Sequence, residues 1–433
     1  MYFWANFWSL NDMRKLDLLS PLLMLAESLS IFYMRRFKSI KTMNTLLLIK
    51  QAARIFERKL EALSNDPLCL DADFLKKRRI IKRKYWIYGS YLAALNSVPV
   101  LFSFKAPKET LACIFAKTSA INAIKVLDNL NDHWQSKEQA AESLLRALQA
   151  FIGEPFPMNL GDDFIGKAEN SVYNMAKWTY DTIREYADIS SYTFKLYISD
   201  LLSLREGQEK SLEQKIDEPK KRKISIQRYL REINEKSVGR VWIDIDFCFY
   251  EALNGGLDRN EREAIKHVRL AMDYLFKASN IYDDVTDLEE DLRNNIINSV
   301  GLLAVDQGYL SMKDLLMGEK SIRKLKMSRA IEDTIHLADM ILLEGIRHLY
   351  EARALNDRID FDALIFSSRI SRVFCLRKWF MREISSGLKN MVISFQRFES
   401  YRIPEHIRRY EKYIRNEENI QTELPAYSSY ITV

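Results

Sequence analysis

Six of the nine residues from Asp283 to Asp291 are acidic: Asp283, Asp284, Asp287, Glu289, Glu290 and Asp291. Like charges this close repel, and at i,i+4 on a helix they destabilise it slightly. Such a row makes chemical sense when something cationic is held between the carboxylates. Asp283, Asp287 and Asp291 are spaced i, i+4, i+8, each step rising ~6 Å along a helix. Carboxylates in that arrangement can share hard cations such as Mg²⁺, which take oxygen ligands and retain substrate phosphates in their shell. A solvated acidic helix end is the plainer alternative for the run taken alone.

A second acidic pair changes the balance. DNLND puts Asp128 and Asp132 at i, i+4, with Ile114, Ile121 and Ile124 on the face that carries Asp128. In the same way Met272, Phe276 and Ser279 run into line with Asp283 and Asp287. Each acidic site therefore ends an apolar helical face. Helices packed side by side would bring the carboxylates to the mouth of a cavity with an apolar floor. A phosphate head on a hydrophobic tail fits that shape.

The elements that must hold these residues are helices. The chain has 433 residues, 47% of them hydrophobic, yet only 13 Gly and 9 Pro. That is about 5% together, against an average near 12%, and the fold expected is all-α. Helices are expected over residues 108–134, about 168–208, from 227, and 260–294, with breaks at 153–161 and at Asn254-Gly255-Gly256. The charged stretch 209–225, with its KKRK, suits an exposed loop. An N-terminal helical extension over 1–50, a main helical domain over 51–400 and a C-terminal helix with a frayed tail over 401–433 complete the expected organisation.

Charge and cysteines exclude other classes. A net charge of +6 is spread over 65 basic and 59 acidic residues, too mixed for a nucleic-acid partner. Cys69, Cys113, Cys248 and Cys375 form no CxxC and point to a reduced, cytoplasmic chain. Residues 18–34 are apolar but interrupted by Pro21 and Glu27, short of the ~20 clean residues that a span needs. A core or interfacial helix is expected there, which leaves peripheral membrane contact open.

The two acidic motifs resemble those of the class I isoprenoid synthases, the superfamily of trans-prenyl diphosphate synthases and terpene synthases. The look is nearest to the large terpene synthases of the tetraprenyl-β-curcumene type, with their D-N-L-C-D first motif and a second motif ending in E-E-D. Residues 128–132 resemble the first motif, D-D-x-x-D or D-x-x-x-D. Residues 283–291 resemble the second, D-D-x-x-D or N-D-x-x-S-x-x-x-E. Gly207-Gln208 is similar to the G-Q of the prenyl diphosphate synthases, and Lys236-Ser237 to their diphosphate-binding K-T. The resemblance covers roughly 111–308. It implies a helical bundle around a central apolar cavity, three Mg²⁺ ions and a prenyl diphosphate substrate.

On that reading Asp128, Asp132, Asp283, Asp284, Asp287 and Asp291 hold metal. Lys236 and Arg240, taken as i and i+4 on one helix, complete a cationic clamp, with Ser237 and Gln208 beside the diphosphate. Phe247 and Phe276 offer aromatic faces to a carbocation. Plainer roles stay open: a structural ion pair for Arg240, core packing for Phe247 and Phe276, and a solvated helix end for His133, the neighbouring candidate base. No R-R-G follows Asp132 and no G-G-K-R precedes it. The basic run 76–84 is the nearest substitute, with Arg79 and Arg83 at i, i+4. Two diphosphates need two cationic sites, so ionisation of one allylic diphosphate is the first expectation. A chain-elongating or acceptor-prenylating transferase is the alternative. A non-catalytic lipid-binding or scaffold protein is the third reading, and a homodimer is compatible with all three.

Overall fold

The computed structural model describes residues 34–78, 80–158, 163–211, 214, 224–315, 319–380, 384–400 and 402–414. The apolar segment 18–33, the KKRK at 220–223 and the C-terminal tail from 415 lie outside the described residues. Among those described there is no β-strand, and the fold is all-α. The long helices are α1 (Thr45–Ala62), α2 (Arg83–Leu101), α3 (Pro107–His133), α4 (Lys137–Ile152) and α5 (Phe164–Tyr186). They continue as α6 (Tyr192–Ser211), α7 (Gly239–Asn254), α8 (Arg259–Arg293), α9 (Ala330–Arg353) and α10 (Phe361–Cys375). α1 runs through the 50/51 boundary expected from sequence, and Ile407 and Tyr410 bury themselves in the main core.

Local chemistry sets the ends of the site-bearing helices. α3 starts with Pro107 in its first turn, where the missing N–H costs nothing. α8 opens on a capping box: Asp258 Oδ1 accepts from the Glu261 amide at 2.8 Å and Glu261 Oε2 accepts from the Asp258 amide at 2.9 Å. Such a cap contributes about 1 kcal/mol. It fixes the start of a helix of 35 residues, ~52 Å long at 1.5 Å per residue. α8 packs most extensively on α9, and α3 packs on α1, α2 and α5.

One expected helix is two. The span 168–208 breaks after Tyr186, and α6 begins at Tyr192. No Gly or Pro marks the break. Asp188 Oδ1 captures the Ser190 amide at 2.7 Å, a side-chain turn that competes with the helix.

A buried charged network ties α3 to α7 through the core. Lys117 Nζ lies 2.5 Å from Asp246 Oδ2, both side chains wholly buried, and 4.4 Å from the Trp242 ring centroid. Ser97 on α2 donates to Asp246 Oδ1 at 2.5 Å. Trp242 in turn packs on Phe276 of α8, ring centroids 5.8 Å apart. Among the described residues, two helices, 85–104 and 107–131, are long and apolar enough to cross a membrane, but 72% of each apolar window is buried inside the bundle.

Candidate functional site

The first acidic motif sits at the C-terminal end of α3. Asp128 is half-exposed, and Lys125, one turn earlier, places Nζ 2.9 Å from Asp128 Oδ2. Asp128 foremost, and also Asp283 on α8, holds the Lys125 ammonium well above the usual lysine range. The Asp283 charge thus reaches the lysine that pairs with the first motif. α3 and α8 do not pack closely against each other. Two turns below the acids, Ile121 and Phe276 are partly buried, and both pack against the hydrophobic core. Asp132, one turn past Asp128, stands on the last turn of α3; its side chain and that of His133 lie outside the described residues.

Asn129, between the acids, donates to the Ile80 carbonyl at 2.9 Å. The basic run 76–84 is thereby held against the first motif. It is not one helix, however: a short helix ends at Lys77 and α2 begins at Arg83. Of the expected Arg79 and Arg83 pair, Arg79 lies outside the described residues, and Arg83 faces Glu57 at 3.7 Å.

The second motif divides between two directions. Asp283 belongs to the Lys125 side. Asp284 and Asp291, seven residues apart, share a neighbouring face of α8, turned about 80–100° from Asp283. Asp284 Oδ2 accepts from the Tyr229 hydroxyl and the Ser299 amide, both at 2.8 Å. Asn298 donates to Asp291 Oδ2 at 2.9 Å and to the Asp284 carbonyl at 3.1 Å. Burial, followed by the nearby Asp284 and Asp287 charges, pushes the Asp291 carboxyl up to about 7; burial also raises Asp284. The expected single row of Asp283, Asp287 and Asp291 is thus a spiral. Each i,i+4 step turns about 40° beyond a full turn, so Asp291 falls nearer to Asp284 than to Asp283.

Lys236 supplies positive charge on this flank. It lowers the carboxyls of both Asp284 and Asp291 against the effect of burial, and its Nζ donates to Gln214 Oε1 at 3.1 Å. Its position is fixed from both sides. Lys277 of α8 grips the neighbouring Glu235 at 2.6 Å, and Gly207 of α6 presses on the same turn. A Cβ on Gly207 would stand 2.5 Å from the Glu235 carbonyl and 2.6 Å from the Lys236 nitrogen. The G-Q and K-S segments, 28 residues apart in sequence, are therefore in backbone contact.

Gln208 turns the other way, into an open groove between α3, α4 and α6. Its polar lining is Asp128, Asn131, Arg205 and Gln208, over leucines of all three helices and Phe151. It encloses about 460 Å³ of empty space, part of it open solvent. No acid of α8 lines it.

The remaining expected residues sit apart. Arg240 is not on a helix with Lys236: a 3₁₀ turn ends at Lys236, Ser237 is extended, and α7 starts at Gly239. Arg240 pairs with the buried Asp273 at 3.2 Å, ten residues or ~15 Å before Asp283 along α8. Ser237 is a turn residue, donating to the Asp273 carbonyl and accepting from the Gly239 amide. Phe247 is fully buried, 6.4 Å from the Tyr250 ring. Among the described residues, no three of the motif aspartates converge to within 4.8 Å.

Sequence reasoning missed Lys125, Tyr229, Asn298 and Arg205. Only Lys125 carried a local signal, its i,i+3 spacing to Asp128.

No family model and no curated protein sequence matches this chain. Among solved structures, a point variant of cucumene synthase is similar over 76% of this chain and 91% of its own length, with 13% identity and a TM-score of 0.38.

Proposed function

We propose that this protein is a Mg²⁺-dependent, class I terpene synthase-like enzyme that ionises an allylic prenyl diphosphate and releases diphosphate. The observation that carries the reading is Lys125. It pairs with Asp128, and the Asp283 charge also raises its pKa, which supports a reading in which the two acidic motifs face one another.

The donor set fits Mg²⁺, because it consists of carboxylate oxygens whose mutual repulsion and burial leave a need for positive charge. Asp128, Asp132, Asp283, Asp287 and Asp291 are the residues that would hold the ions. Asp284, with Oδ2 already accepting two hydrogen bonds, orients the helix end more than it offers a ligand. Bound Mg²⁺ supplies electrostatic stabilisation of the departing diphosphate.

The chain's own groups do the rest. Lys236 adds a fixed ammonium beside the second motif, in a position clamped by Gly207 and Lys277. Ile121 and the Phe276 ring form dry walls below the acids. An aromatic face there favours a cation by about 0.5–2 kcal/mol. Water is excluded by the same apolar walls, which protects a carbocation from premature capture.

A second reading, a prenyltransferase, draws on the basic run 76–84, which Asn129 holds beside the first motif. One experiment separates the two. The protein is incubated with geranyl, farnesyl or geranylgeranyl diphosphate and Mg²⁺, with and without isopentenyl diphosphate. Diphosphate release with a hydrocarbon or alcohol product, independent of isopentenyl diphosphate, supports the synthase. A lengthened diphosphate formed only in its presence supports the transferase.

A further inference from the structure

Far from the acidic motifs, α8 and α9 bring together two histidines and a glutamate. His267 stands on α8, 16 residues or ~24 Å before Asp283; His348 and Glu351 stand one turn apart on α9. His267 Nδ1 is 3.1 Å from His348 Nδ1 and 3.1 Å from Glu351 Oε2, and His348 Nδ1 is 3.0 Å from the same oxygen. The three atoms form a nearly equilateral triangle.

We propose that this triangle is a binding site for a divalent transition-metal ion of the zinc type, clipping α8 to α9. Donors about 2.0–2.1 Å from one zinc ion in tetrahedral array stand about 3.3 Å apart, and about 3.0 Å apart in octahedral array. The observed edges match that separation. Protons serve the triangle less well, since each Nδ1 offers either one N–H or one lone pair. With both rings protonated at Nδ1, two N–H groups meet; with one, an edge between two acceptors is left. A cation satisfies all three edges together.

The surroundings are those of a supported ligand set. The second carboxylate oxygen of Glu351 accepts from Arg347, which turns Oε2 toward the histidines. His348 Nε2 lies 3.5 Å from the Arg347 guanidinium and 4.0 Å from Glu344 Oε1. His348 also stacks on Tyr274 with an interplanar angle of 3°.

The helix spacing is held by a close backbone approach. A Cβ on Gly345 would stand 2.8 Å from the Ala271 carbonyl oxygen, one turn along each helix from the triangle. His267 and Glu351 keep 24% and 36% of their side-chain surface exposed, so an ion reaches the site from solvent, and water fills its remaining positions. Two imidazoles and a carboxylate are intermediate-to-hard donors, which suit zinc over Mg²⁺ or Ca²⁺.

The test uses the full chain after chelator treatment, in buffer without Mg²⁺ or any diphosphate. Zn²⁺ is titrated calorimetrically, and thermal unfolding is followed with and without it. The expected result is one ion per chain, a raised unfolding midpoint, and an X-ray absorption spectrum with two imidazoles and oxygen donors near 2.0 Å. His267→Gln and His348→Ala each weaken binding by more than about 100-fold. Absence of stoichiometric binding overturns the proposal. So do equal affinities in wild type and a folded His267→Gln variant, and so does sulfur scattering near 2.3 Å, which would assign the ion to cysteine. Because the absorption spectrum is taken on wild type, a variant that fails to fold does not shelter the idea.

Discussion

Lys125 Nζ rests 2.9 Å from Asp128 Oδ2 and is raised in pKa by Asp283 on the facing helix. On the proposed reading, a side-chain ammonium occupies the mouth where the two acidic motifs meet. Any cation that joins those carboxylates competes with it.

From that relationship, Lys125→Met lowers the Mg²⁺ concentration needed for binding a diphosphate analogue, because no ammonium has to be displaced. Metal-free stability changes by less than about 1 kcal/mol, since the pair is solvent-screened. Calorimetry and urea unfolding measure the two effects. A higher Mg²⁺ requirement in the variant would mean that Lys125 serves the diphosphate directly.

Gly207→Ala tests the contact between the G-Q and K-S segments. Its methyl group meets backbone at 2.5–2.6 Å, which side-chain rotation cannot relieve. The expected loss is about 1–3 kcal/mol, the cost of overpacking, with weaker analogue binding as Lys236 moves. Wild-type values for both would remove Gly207 as the element that positions Lys236.

Asp246→Asn tests the network beneath the site. Lys117 would keep a buried charge without its partner, at a cost of about 3–5 kcal/mol. Replacing Lys117 and Asp246 together by Met and Leu should recover much of that loss. Chemical denaturation gives both numbers, and a loss below about 1 kcal/mol for Asp246→Asn contradicts the assignment of the pair as a buried, mutually dependent charge couple.

Much of this was legible in the residues. The ends of α3 and α8 follow from Pro107, the Asp258–Glu261 box and the Asn254-Gly255-Gly256 break, and the acids themselves are plain in sequence. The break after Tyr186 was not legible, because an Asp188–Ser190 side-chain turn makes it with no Gly or Pro. The join between Lys236 and Arg240 was misread for a related reason: nothing local announces that Ser237 becomes extended. Tyr229 and Asn298 reach the acids only through tertiary packing, 55 and 7 residues from the groups they bond. The division of the second motif into Asp283 on one side and Asp284 with Asp291 on the other follows from helical twist, once the i,i+4 row is not treated as straight.

The central claim is that the two motifs hold Mg²⁺ for a diphosphate. It is tested most directly by calorimetric titration of a non-hydrolysable prenyl diphosphate analogue at zero and at saturating Mg²⁺, in wild type and in Asp287→Ala. The carboxylates repel an anion until cations arrive, and the ions keep coordination positions that phosphate oxygens fill, so each ligand should tighten the other. The account predicts strong Mg²⁺-dependent binding in wild type. In Asp287→Ala that dependence is lost, while metal-free stability is unchanged or slightly higher, because a like charge is gone. Equal affinity with and without Mg²⁺ in wild type, or an unaltered Mg²⁺ dependence in Asp287→Ala, would contradict it.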